Sequence, residues 1–138
     1  MGLNDSISMA IINDKPTIAM EDSLRTAINK MVETKSTALA VKSGDELVGI
    51  VTEMDLMDCM SRNEDLDQTK ANYCMTTCEL ITQERTQTPC IQLAEDESVK
   101  FGLNLMAHAG VHHLLISGAN DKAVGIVSSI DLLKVAVS

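Results

Sequence analysis

The chain has 138 residues, 45% of them hydrophobic and 22% charged, with 11 Lys+Arg against 20 Asp+Glu for a formal charge of −9. That length is one domain-sized unit, large enough to bury a core without disulfides or metal. The acidic balance and a single Phe, a single Tyr and no Trp weigh against a nucleic-acid polymer or an anionic membrane, because phosphate affinity needs clustered Lys and Arg and base stacking needs aromatic faces.

From the N-terminus, Met1-Gly2-Leu3-Asn4-Asp5 lacks the basic and apolar regions of a secretory signal. No apolar run reaches the roughly 18 residues of a membrane span, so the cytoplasm is the expected location. A short apolar patch, Ile7 to Ile12, is suited to pack on the other of the two copies described next.

The chain then repeats itself, a feature to be sought before any other. One copy runs from Thr17 to Met60 and the second from Gln92 to Val137. Leu24, Ala27, Ile28 and Met31 match Val99, Gly102, Leu103 and Met106 at an offset of 75. Their i, i+3, i+4, i+7 spacing predicts an amphipathic helix in each copy. Asp22-Ser23 and Glu97-Ser98 place acidic and hydroxyl residues at its start, where orphan N–H groups favour them.

A strand follows, Ala38 to Val41 and His113 to Ile116, then a Gly- and Asp-containing turn. The second turn is one residue longer, so the offset becomes 76. Leu47 to Val51 and Ala123 to Val127 form the next strand, which runs into a short second helix. Each copy reads β-α-β-β-α, an α+β architecture. A copy of this size cannot bury both helices and a small sheet alone, so the two are expected to share one core. The boundary falls between 68 and 69: residues 1–68 carry the first copy with its N-terminal segment and linker, residues 69–138 the second. Ser61 to Gln68 reads as exposed linker, and Cys74-Met75-Thr76-Thr77 as a helical turn that opens the second half.

The most informative string is Gly49-Ile50-Val51-Thr52-Glu53-Met54-Asp55, echoed by Gly125-Ile126-Val127-Ser128-Ser129-Ile130-Asp131. Ser/Thr-x-x-Asp at a helix start is close to a capping box. A strand that ends in a helix N-terminus is also a place for phosphate, and a carboxylate there can accept two hydrogen bonds from a ribose diol. The two roles are compatible.

From Thr17 onward the chain resembles a tandem pair of CBS (cystathionine-β-synthase) domains, a Bateman module. The resemblance rests on the repeated elements and on the Gly-Ile-Val-[Ser/Thr]-x-x-Asp string in both halves. It implies pseudo-symmetric repeats with clefts between them that bind AMP, ADP, ATP or S-adenosylmethionine, and a homodimer formed through helices. Carried over by position, Asp55 and Asp131 become ribose ligands and Thr52 and Ser128 phosphate or ribose ligands. Thr37-Ala38 and His112-His113 line the cleft before and at the first residue of a strand. Adjacent strand residues face opposite ways, so only one of His112 and His113 can enter a cleft. The other reading of this pair is a solvated strand edge. No Arg precedes either strand, which makes adenosine, AMP or S-adenosylmethionine less repelled by the acidic chain than ATP. A chain consisting only of such a pair acts on a separate effector, senses a ligand, or serves as a scaffold that keeps the Asp residues solely as caps.

Catalytic and metal sites are not expected. His108, His112 and His113 have no matching Ser or Cys nucleophile. Cys59, Cys74, Cys78 and Cys90 lack a zinc pattern and read as reduced, partly buried thiols. Met31 and Met106 belong to the helix stripes. Met54, Met57 and Met60 read as packing residues, or alternatively as an adaptable dimer or partner surface.

Overall fold

The structure, a computed structural model, describes residues 2–12, 15–77, 79–80, 91–119 and 122–138. It divides into two compact units, Asp14–Thr77 and Met1–Asn13 with Cys78–Ser138.

The unit of residues 14–77 contains β1 (Thr17–Ala19), α1 (Leu24–Thr34), β2 (Ala38–Ser43), β3 (Glu46–Thr52), α2 (Glu53–Ser61), the single turn α3 (Ala71–Cys74) and β4 (Thr76–Thr77). Its sheet runs β1-β2-β3-β4, with β1 parallel to β2 and the other pairs antiparallel. A parallel neighbour needs a crossover, which α1 supplies. A two-residue turn with Gly44 at φ 63° joins β2 to β3, a backbone region that glycine enters without a Cβ penalty. Leu24, Ala27 and Met31 on α1 bury against Leu39, Val41 and Val51 of the sheet and Leu56 of α2.

The second unit repeats the plan with β5 (Glu79–Leu80), β6 (Ile91–Ala94), α4 (Val99–Ala109), β7 (His113–Ser117), β8 (Ala123–Ser128) and α5 (Ser129–Ala136). The order is β5-β6-β7-β8, with β6 parallel to β7 and β7 antiparallel to β8. The two β-α-β-β-α copies are thus present with the elements that the helical and alternating spacings predict. Each copy has a buried cluster of its own.

Each unit is completed by a segment outside its repeat, by the same device. In α1 the first-turn amides of Leu24 and Arg25 donate to the carbonyls of Thr69 and Leu66, at 3.0 and 2.9 Å. In α4 the amides of Val99 and Lys100 donate to Asp5 and Leu3, both at 2.9 Å. The third amide in each helix, of Thr26 or Phe101, goes to the N-cap hydroxyl of Ser23 or Ser98. The helix-start donors that would otherwise need water are therefore met. The segments then turn once, through the 3-10 turn Ile7–Ala10 on one unit and α3 on the other, burying Ile7 and Ala71 fully.

Two sequence expectations change, and one holds with an addition. Residues 2–12, assigned with the first repeat by a boundary at 68/69, pack on the second, as the apolar patch from Ile7 allowed. Ser61 to Gln68 is exposed for the most part, as expected, while its Leu66 carbonyl fastens it to α1. The helical turn expected at 74–77 lies at Ala71–Cys74 and belongs to the first unit, where β4 pairs with β3. Much of the fastening runs through backbone carbonyls, which leave no side-chain pattern to read.

Cys59 and Cys74 are joined by a disulfide, so the expectation of reduced thiols fails for these two. Their spacing is 15 residues, and spacing does not encode connectivity. The turn of α3 is what brings Cys74 to α2. The expectations for Cys78 and Cys90 fall outside the described residues.

Candidate functional site

The repeated string is built the same way in both units. β3 delivers Thr52, and β8 delivers Ser128, as the N-cap of the helix that follows. The Thr52 hydroxyl accepts from the Asp55 amide at 3.2 Å, and the Asp55 carboxylate accepts from the Thr52 amide at 2.9 Å. Ser128 and Asp131 repeat this at 3.1 and 2.9 Å. Both are complete capping boxes, and each carboxylate also lies in the first turn of its helix, where the dipole favours a negative charge.

Strand register brings the remaining candidates to these caps. Ala38, the first residue of β2, is paired with Thr52, and His113, the first residue of β7, with Ser128. The residue before each strand is tied in through its backbone. The Glu53 amide donates to the Thr37 carbonyl at 3.0 Å, and the Ser129 amide to the His112 carbonyl at 2.9 Å. Thr37, Ala38, Thr52 and Asp55 are therefore gathered in one unit, and His112, His113, Ser128 and Asp131 in the other. Sequence reasoning missed the contributions of Glu53 and Ser129, which act through main-chain N–H groups.

The two gatherings differ in their side chains. Asp131 is buried at 6% exposure, whereas Asp55 is half-buried. Thr37 and His112 are exposed, Ala38 is buried and His113 half-buried. Two of the first helical donors are already engaged by Thr37 or His112 and by the cap hydroxyl. The site offers an anion fewer amides than a bare helix N-terminus would.

Gly125 of the string has a local reason in the second unit: a Cβ there would sit 2.7 Å from Ile11 Cγ2. The N-terminal segment can lie this close only over a glycine. Its counterpart Gly49 is paired with Thr77 of β4.

Other candidate chemistry is dispersed. His108 Nδ1 lies 2.8 Å from the Asn104 carbonyl on α4. Among the described residues no three His, Cys, Asp or Glu side chains converge as a metal site, and no described helix is long and apolar enough to cross a membrane.

The profile of the CBS domain matches residues 7–62 and 84–138. An uncharacterised protein of Methanopyrus kandleri is 29% identical over 126 residues, covering 91% of this chain and 57% of that protein. An uncharacterised 17.7 kDa protein of Acidianus ambivalens is 31% identical over 96 residues, covering 70% of this chain and 51% of that one. The chain thus spans little more than half the length of these relatives. Among solved structures, a CBS-domain protein of Burkholderia ambifaria is 25% identical with a TM-score of 0.70, covering 88% of this chain and 82% of the other. The CBS domain of a bacterial CNNM/CorC family Mg2+ transporter, solved in complex with ATP, is 17% identical with a TM-score of 0.74, covering 98% and 89%. With two matched profiles over most of its length and one β-α-β-β-α copy under each, the chain belongs to the CBS domain family, as a tandem pair.

Proposed function

We propose that this CBS pair is a non-catalytic regulatory module that binds an adenosine-containing ligand, AMP, ADP, ATP or S-adenosylmethionine, and signals its occupancy through a dimer or effector-protein surface. The observation that carries the reading is the duplicated gathering at the strand-to-helix junctions. Thr37, Ala38, Thr52 and Asp55, and again His112, His113, Ser128 and Asp131, are held by the same register, the same backbone bond and the same capping box. Asp55 and Asp131 are the proposed ribose acceptors, and Thr52 and Ser128 the hydroxyls beside them. The ATP complex of the transporter CBS domain supports the ligand class. The formal charge of −9 and the amides already engaged favour ligands with few phosphates, so AMP, adenosine or S-adenosylmethionine should bind more tightly than ATP.

The signalling surface we propose lies on the second helix of each repeat. Met54, Met57 and Met60 on α2 are 69%, 60% and 49% exposed. Ile130 and Leu133 on α5 are exposed at the positions that match Met54 and Met57. Repetition of the same apolar stripe on both helices fits a second copy of the chain or a regulated partner.

The test is a thermal-shift and calorimetric series with adenosine, AMP, ADP, ATP and S-adenosylmethionine, with GMP as control. A ligand that binds only the folded chain raises its stability by mass action. A selective shift that is lost in Asp55→Ala/Asp131→Ala supports the sensor. The completeness of both capping boxes favours a second reading, a purely structural interaction module. That reading predicts no shift with any of these compounds at millimolar concentration.

A further inference from the structure

The Cys59–Cys74 disulfide occupies a place where the fold does not need one. Cys59 on α2 corresponds to Val135 on α5 at the repeat offset of 76. Cys74, which ends α3, corresponds to Ala10, which ends the 3-10 turn of the other unit. Val135 and Ala10 join the buried cluster of their own unit by apolar packing alone. The same turn-on-helix junction is therefore built once with a crosslink and once without. A small aliphatic pair suffices for packing, and the cysteines add a reaction.

A second observation concerns the sulfur atoms. Arg62, the C-cap of α2, donates from Nη2 to Cys59 Sγ at 3.3 Å. The guanidinium is held there by Asp58 at 2.9 Å and Glu64 at 3.9 Å. Cys59 is 1% exposed and Cys74 is 8% exposed, so Cys74 is the residue of the pair nearer to solvent. The C-terminal end of a helix disfavours an anion, which makes the cation beside Cys59 the group that offsets this. A leaving thiol departs faster when its thiolate is stabilised.

We propose that Cys59–Cys74 is a thiol–disulfide exchange site whose substrate class is a small or protein thiol, with Cys74 the attacked sulfur and Cys59 the leaving group. An external thiolate attacks Cys74 Sγ and the Cys59–Cys74 bond breaks. The electron pair leaves on Cys59 Sγ, beside Arg62. A second external thiolate attacks the external sulfur of the mixed disulfide and releases Cys74. The external thiol pair is oxidised to a disulfide, and the protein disulfide is reduced to two thiols, which take up the two protons. Reduction unlinks α3, and β4 behind it, from the helix that carries Thr52, Asp55 and the methionine stripe. The proposal stands apart from any nucleotide role.

The test uses the full chain, purified without reductant and incubated folded with reduced glutathione, a monothiol, at neutral pH. Acid quench, alkylation and peptide mapping follow Cys59 and Cys74 separately from Cys78 and Cys90. Cys59 and Cys74 should open together at temperatures well below unfolding, with the trapped mixed disulfide on Cys74. Arg62→Gln should slow opening several-fold and Arg62→Lys should restore part of the rate, a pattern that a packing role for Arg62 does not produce. Reduction should lower the melting temperature of the native chain. It should leave that of Cys59→Val/Cys74→Ala, which borrows the junction of the other repeat, unchanged. The proposal is overturned if the disulfide opens only when the chain unfolds, if the mixed disulfide is found on Cys59, or if Arg62→Gln opens at the native rate. It is equally overturned if both residues are thiols that oxidised glutathione does not join.

Discussion

Thr52 and Ser128 do the same work at equivalent helix starts, but their partners are buried to different depths. Asp131 is 6% exposed and Asp55 is half-buried. Removing either carboxylate strands an N-cap amide, and a stranded amide costs more where water cannot reach it, about 1–3 kcal/mol when buried. Asp131→Ala should therefore destabilise more than Asp55→Ala in urea unfolding. Asp131→Asn, which keeps an acceptor oxygen, should recover part of the loss. These caps were legible from Ser/Thr-x-x-Asp alone. Gly102 was not, since its counterpart in the first copy is Ala27 and nothing in the helical spacing asks for glycine. The reason is a neighbour remote in sequence: a Cβ at Gly102 would meet Ile7 Cδ1 at 2.7 Å and Leu132 Cδ1 at 3.1 Å. The bulk that the second unit places in Ile7 it removes from α4. Gly102→Val should cost about 1–3 kcal/mol by overpacking. Ile7→Ala in the same chain should then cost less than it does alone, because the two residues share one space. A double-mutant cycle measures this directly.

At the scale of elements, α1 and α4 are the parts that spacing revealed most fully, and their starts are the parts it revealed least. The stripe Leu24, Ala27, Met31 sets which face is buried. The first-turn donors are met by carbonyls of residues 66 and 69, which any residue type could supply. One side-chain contact reinforces this junction. Arg25 Nε lies 2.7 Å from Asp67 Oδ1, and Arg25 Nη2 3.2 Å from Asp67 Oδ2. The hydrogen bond from Arg25 holds the Asp67 carboxyl below its usual range, and the same bond raises the guanidinium. A carboxyl lowered on folding stabilises the fold above its unfolded value of about 3.9, and the contribution is lost as pH falls through the folded value. Both groups are exposed, so the effect is small and screened by salt. The native chain should be slightly more stable than Asp67→Asn at neutral pH. The gap should start to close as pH falls below the unfolded value and vanish only below the lowered native one, where Asp67 is protonated in the folded chain as well. Denaturant titrations at a series of pH values in low salt would show the convergence. A gap that persisted at low pH would place the effect in packing instead of charge.

At the scale of the whole molecule, the duplication was plain in the sequence because Leu24 to Met31, the Gly-Ile-Val strings and the terminal Asp residues recur at two related offsets. What completes each copy was not plain, because it lies outside the repeat and acts through the main chain. Residues 2–12 close the unit that ends at Ser138, and residues 62–77 close the unit that begins at Asp14. This assignment differs from one that follows chain order, and the two divide on a single experiment. Deleting residues 1–12 removes the carbonyls of Leu3 and Asp5, which accept from Lys100 and Val99, and the fully buried Ile7 side chain. Loss of such a side chain costs about 2–5 kcal/mol. Hydrogen exchange at Val99 and Lys100 should then accelerate by orders of magnitude, and protection across α4, β7 and α5 should fall with it. Amides of α1, β2 and β3 should keep the protection they have in the full chain, since their acceptors and their cluster lie within 14–77. If the segment instead served the first repeat, the losses would appear in α1 and β2 while Val99 and Lys100 stayed protected.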